Sequence, residues 1–173
     1  KENDVTQMGR QEVVRRLNRI LLIDYVDERG NELQGTLGLP AGYEEGKRYP
    51  MLVYFYELSS QRHHSYQGPA FDDRPHMATY ASNGYLVFQP DIVYTIGQPG
   101  TSALDDLTAS IQKVIELGYA DPERLVVGGW SYGGILTNYV ITQSSRFKAA
   151  SSGASLGLVP ANYGHDQYQL MYE

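Results

Sequence analysis

Arg124-Leu125-Val126-Val127-Gly128-Gly129-Trp130-Ser131-Tyr132-Gly133-Gly134 is the stretch that decides the fold. An apolar strand leads into Gly-x-Ser-x-Gly, and Ile135 to Gln143 follows as a helix with Ile135, Tyr139 and Val140 available for a core. Strand, sharp turn and helix are the surroundings that a nucleophile elbow requires, so the pattern points to acyl transfer through an activated serine. Gly129 and Gly133 are expected to leave room where side chains would collide with the neighbouring strand and helix. The helix begins at the serine, which leaves the Tyr132 N–H free to stabilise a developing oxyanion. The alternative is a chance Gly-x-Ser-x-Gly in a tight turn. A phosphate loop is excluded, because no Lys follows the glycines.

Outward from the elbow, the rest of the chain alternates strand and helix signals. Ile20 to Val26 and Leu33 to Leu39 read as a hairpin around Asp27-Glu28-Arg29-Gly30-Asn31, and Met51 to Tyr56 as a central strand covered on both faces. Pro75 to Asn83 is helix-compatible and stops at Gly84, before the short buried strand Tyr85 to Pro90. Ser102 to Leu117 carries Leu104, Leu107, Ile111, Val114 and Ile115 at helical spacing, with Ser102 as the expected N-cap and Gly118 as the stop. Ala149 to Ala154 is a strand of small residues. The order predicts an α/β fold: a mainly parallel sheet with right-handed crossovers and an N-terminal antiparallel hairpin.

Composition narrows the classes. A length of 173 residues with 42% hydrophobic content suits one domain with a real core. The net charge of −6, with no basic cluster, gives nucleic acid no electrostatic footprint. No apolar run approaches the roughly 20 residues that span a bilayer, and Lys1-Glu2-Asn3-Asp4 is not a signal peptide, so no membrane partner is expected. With zero cysteines there is no thiolate chemistry, and compartment stays open. Residues 1–19 read as a polar lead-in cut from something longer, and 20–173 as the globular part.

Gly129-Trp130-Ser131-Tyr132-Gly133-Gly134 resembles the elbow of the prolyl oligopeptidase family of serine peptidases. Tyr85 to Asp91, Gly118 to Arg124 and Phe147 to Ala150 are similar to family segments in the same order, so the resemblance runs from about Ile20 to Tyr172. It is closer to the dipeptidyl-peptidase and acylaminoacyl-peptidase branches than to lipases, whose His-Gly-Gly oxyanion loop is absent. The resemblance implies an eight-stranded α/β-hydrolase domain that follows a β-propeller. Neither the propeller nor the last strands are expected in this sequence, which should stop after about the sixth strand. A bare parallel edge there would invite association, so the remaining segments of the same protein, or an oligomer, are the expected partners beside a peptide substrate.

The resemblance also implies a second oxyanion donor, a tyrosine hydroxyl at the end of the third strand, where Tyr56 stands; the alternative is that Tyr56 is one of 15 tyrosines packing a strand end. The family often has Gly-Gly or Gly-Pro soon after this tyrosine, whereas Glu57-Leu58-Ser59-Ser60 follows here. Glu57 is a candidate for facing a substrate amino terminus, against simple solvation. Tyr163 and Tyr168, in a segment similar to one lining the substrate side of some members, are candidates for a side-chain pocket or for packing. No histidine fits as base: His63, His64 and His76 precede Ser131, and His165 stands beside Asp166 before the expected strands. Only 42 residues follow the serine, so the triad acid and histidine are expected outside this chain, leaving it little turnover of its own. No metal site or cofactor is expected, since His63-His64 lacks a carboxylate at ligand spacing. Asp105 and Asp106 read as acids at a helix start, and Asp91 as a residue ordering the loop to Gly100. A carboxylesterase on the same fold, and a non-catalytic truncated hydrolase domain, are the competing functions.

Overall fold

The computed structural model describes residues 19–62 and 76–155. Strand β1 (Ile20–Val26) alternates as a half-buried strand should, with Ile23 and Tyr25 inside and Ile20, Leu22 and Val26 outside. It pairs antiparallel with β2 (Glu32–Gly38). Gly30 turns the chain at φ 82, and the Asp27 carboxylate accepts the backbone N–H groups of Arg29 (2.9 Å) and Asn31 (2.7 Å), an Asx turn.

The apolar run becomes β3 (Tyr49–Phe55), in which Met51, Val53 and Phe55 are fully buried. It lies between two parallel neighbours, β4 (Leu86–Pro90) and β5 (Ala120–Trp130), which explains why its pattern is continuous rather than alternating. The sheet order is β1-β2-β4-β3-β5-β6, with β2 antiparallel to β4 and the small-residue strand β6 (Ala149–Gly153) parallel to β5. The outer edge of β6 pairs with no described residue, and its residues are largely exposed.

Among the described residues, α-helices α1 (Met77–Ser82), α2 (Pro99–Glu116) and α3 (Tyr132–Gln143) lie between these strands. Helix α2 buries Ala103, Leu107, Ile111 and Val114 in the core, each of the larger side chains contributing about 1.5–3 kcal/mol. Its first turn lies against α3, since a Cβ on Gly100 would sit 2.9 Å from the Tyr139 ring. It begins three residues earlier than the spacing predicts. Pro99 supplies a first helical position that needs no donor, and Ser102 is not the N-cap but returns its hydroxyl to the Gln98 carbonyl (2.7 Å). Strand β5 also starts earlier, at Ala120, because its pairing with Tyr49 survives a register shift that accommodates Asp121-Pro122.

Candidate active site

Ser131 lies between β5 and α3 and caps the helix in name only. Its backbone sits at φ 55, ψ −117, a conformation costing a side-chain-bearing residue about 1–3 kcal/mol, and its side chain makes no capping hydrogen bond. The side chain is exposed, and two backbone bonds hold the turn: Ser131 N–H donates to the Gly153 carbonyl (2.9 Å) on β6, and Ile135 N–H donates to the Ser131 carbonyl (3.0 Å).

The glycines around it are required by main-chain contacts in three directions. A Cβ on Gly129 would strike the Gly133 carbonyl, one on Gly133 would lie 2.5 Å from the Phe55 carbonyl of β3, and one on Gly134 would lie 2.5 Å from the Gly153 carbonyl of β6. The helix N-terminus is thereby drawn down onto the sheet. Its first-turn amides, the Tyr132 N–H included, have no carbonyl behind them within the helix.

Tyr56 follows the residue of β3 that pairs with Gly129, and its ring comes to the same helix end: Cδ2 is 3.5 Å from where a Gly133 Cβ would be. It is 40% exposed, so the phenol is accessible. Glu57 is exposed beside it. The Tyr132 hydroxyl has a raised pKa, first through burial and then through the nearby Glu57 carboxylate and Tyr56 phenol, which places these three side chains in one field. The structure thus brings Ser131, Tyr132, Tyr56 and Glu57 together, while Tyr163 and Tyr168 lie outside the described residues, as do His63, His64 and His165. His76 is the N-cap of α1, with its Nδ1 3.5 Å from the Thr79 hydroxyl.

Three acids take other roles than the sequence suggests. Asp91 orders the segment after Tyr56 rather than the loop to Gly100: buried, it accepts the backbone N–H groups of Ser59 and Ser60 and the Ser60 hydroxyl. Asp106 is fully buried in the body of α2 and carries no dipole role at its start. It bonds the Arg29 guanidinium (2.6 Å) and the Val93 N–H (2.8 Å), while Arg29 also bridges to Asp27 (2.8 Å). Asp105 likewise lies beyond the first turn. Tyr94, which the sequence reading passed over, donates its hydroxyl to the Tyr56 carbonyl and sets its ring edge-on to Tyr132, centroids 5.2 Å apart. Its place after the C-terminal end of a parallel strand is the signal that could have found it. A cleft of about 880 Å3 opens between the β1–β2 hairpin and α2, with Asp24, Glu32 and Glu116 on its walls, but none of the four residues at the elbow lines it.

Residues 70–170 of the chain match the prolyl oligopeptidase family. The chain belongs to that family. Among its relatives, the uncharacterized peptidase YuxL of Bacillus subtilis is 30% identical over 146 residues, covering 78% of this chain and 21% of that protein. Dipeptidyl peptidase 4 of Bos taurus is 26% identical over 141 residues, 71% of this chain and 17% of that protein. The fold is that of an α/β-hydrolase peptidase: the acylaminoacyl peptidase of Pyrococcus horikoshii superposes with a TM-score of 0.67 at 20% identity, covering 89% of this chain and 26% of that one. The chain spans about a fifth of the length of the curated relatives it matches.

Proposed function

We propose that this chain supplies the nucleophile and oxyanion hole of a serine peptidase. Ser131 Oγ attacks a peptide carbonyl, the Tyr132 N–H and the Tyr56 hydroxyl receive the oxyanion, and collapse of the tetrahedral species leaves an acyl-enzyme that water hydrolyses. The observation that carries this reading is the Ser131 backbone. Strain persists there at an exposed serine whose hydroxyl caps nothing, packed in place by glycine contacts on every side, and such strain at a helix start is accounted for by chemistry rather than by stability. Membership of a peptidase family supports a peptide over a simple ester as substrate. The general base comes from beyond the described residues, since in this fold the histidine follows the nucleophile in the chain and His76 precedes Ser131.

The test is fluorophosphonate labelling of Ser131, in the full-length protein and in the 173-residue chain. The full-length protein is expected to label rapidly and the shorter chain slowly, because a serine without its base is a poor nucleophile. Equal rates would place the base within this chain, and no labelling of either would end the assignment. Tyr56→Phe, which removes one donor, is expected to lower turnover of the full-length protein about 10²–10³-fold, or about 2.7–4 kcal/mol of transition-state stabilisation. An unchanged rate would return Tyr56 to the role of a packing tyrosine.

Glu57 supports a narrower reading, trimming from a free amino terminus, because its carboxylate is exposed beside Tyr56 and its field reaches Tyr132. Glu57→Gln should then raise KM for peptides with a free α-amino group several-fold and leave N-acylated peptides unaffected. Equal effects on both would remove Glu57 from substrate recognition.

A further inference from the structure

The last residue of β3 in register with β5 is Phe55, opposite Gly129, and pairing with β4 ends earlier, at Val53 and Phe88. Tyr56 stands one step beyond both ladders, so neither neighbouring strand holds the carbonyl of the residue that carries the second oxyanion donor. Tyr94 does: its hydroxyl donates to that carbonyl, and its ring rests on Tyr132, the residue whose N–H is the first donor. One side chain touches both halves of the oxyanion hole.

The loop carrying Tyr94 is itself anchored on both sides of it. Val93 N–H donates to the buried Asp106 carboxylate (2.8 Å), and Arg29 donates to the Val93 carbonyl (3.0 Å) and to the Thr95 hydroxyl (2.9 Å). Thr95 N–H reaches the Ser102 hydroxyl (3.0 Å), and Ile92 N–H closes onto the Glu57 carbonyl (3.2 Å). Tyr94 is therefore a fixed post set in α2 and the hairpin turn, against which the unpaired end of β3 is secured.

We propose that Tyr94 is a positioning residue of the oxyanion hole, its hydroxyl replacing the missing ladder bond at Tyr56 and its ring fixing the distance between Tyr56 and Tyr132. It touches no reacting atom and acts through Tyr56; the inference rests on reading Tyr56 as the second donor. Oxyanion donors must lie 2.7–3.1 Å from the oxygen as it becomes charged, and misplacement by about 1 Å can cost 10²-fold.

The test is a double-mutant cycle in the full-length protein, read by kcat, KM, the rate of fluorophosphonate labelling and the melting temperature. Tyr94→Phe keeps the ring against Tyr132 and deletes only the hydroxyl. It is expected to lower kcat and the labelling rate about 10–100-fold with KM unchanged and the fold intact by melting. In a Tyr56→Phe background the same change is expected to cost almost nothing further, because the donor it positions is already gone. Three results would overturn the inference: a Tyr94→Phe enzyme with normal kcat, a loss that appears in KM, or a loss that persists in full in the Tyr56→Phe background. If Tyr56→Phe alone leaves the rate unchanged, the reading of Tyr56 fails and this inference falls with it, a result distinct from failure of the Tyr94 step.

Discussion

Ser131→Gly is expected to yield a protein that melts at a higher temperature and has lost its turnover. At φ 55, ψ −117, Ser131 occupies a conformation that only glycine adopts freely, and release of about 1–3 kcal/mol of strain outweighs the roughly 0.5–1 kcal/mol of extra chain entropy that glycine brings to the unfolded state. In a chain of this size each kcal/mol moves the midpoint by about 2–4 °C. Ser131→Ala removes the same hydroxyl and keeps the strain, so it should match the wild type in stability. Both variants should lose activity by a factor on the order of 10⁵–10⁶, as removal of a nucleophile does in an enzyme whose triad acts as a unit. The pair separates two claims. A loss of only a few fold in either variant would dismiss Ser131 as the nucleophile, whereas a glycine variant no more stable than the alanine variant would dismiss the strain.

Arg29→Met is expected to destabilise the fold by about 3–5 kcal/mol, the cost of leaving buried charge without its partner. Arg29 stands between the Asp27 and Asp106 carboxylates, both of which have fully buried side chains, and without it Asp106 retains the Val93 N–H among the donors described. Burial already pushes Asp106 up to about 6, against the pull of the Val93 N–H and Arg29. Burial also opposes the charge on Asp27, but the Asn31 side-chain and backbone donors, with Asp106 and Arg29, hold it down at about 2. The signs of the two are opposite. Asp106 binds its proton more tightly in the folded state, so its contribution to stability is fully present below the ordinary carboxylate pKa near 3.8 and is lost as pH rises through about 6. Asp27 contributes above 3.8 and loses that contribution as pH falls through about 2. Denaturant titration at several pH values measures both effects, and the decline between pH 4 and 6 should vanish in Asp106→Asn. A loss below about 1 kcal/mol in Arg29→Met would reduce the cluster to a surface ion pair.

The strands and the elbow were legible in the sequence because their signals are local. The alternation of β1, the continuous apolar run of β3 and the glycines around Ser131 each follow from the immediate surroundings of a few residues. Strand order was less accessible: β4 inserts between β2 and β3, and no period or turn signal encodes that insertion. Asp106 shows the same limit, since its partner Arg29 is 77 positions away in the chain and only the fold brings a hairpin turn onto a helix. The start of α2 was misplaced for a different reason. Its first turn, Pro99 to Ser102, carries no apolar period, although proline at a first helical position is itself a start signal. Tyr94 offered only its position after the end of β4 as a signal, because its hydroxyl bond to the Tyr56 main chain leaves no motif.

Tyr56 and Ser131 follow the ends of neighbouring strands yet are far apart in the polypeptide, and the Ser131 N–H is secured by Gly153, still further along. On the proposed function, reactivity at this serine is therefore a property of the assembled sheet, and a chain emerging during synthesis would hold an inert hydroxyl until β3, β5 and β6 have all joined. Melting reverses the order: on the proposed reading, separation of β3 from β5 parts Tyr56 from Tyr132 and ends reactivity with the fold.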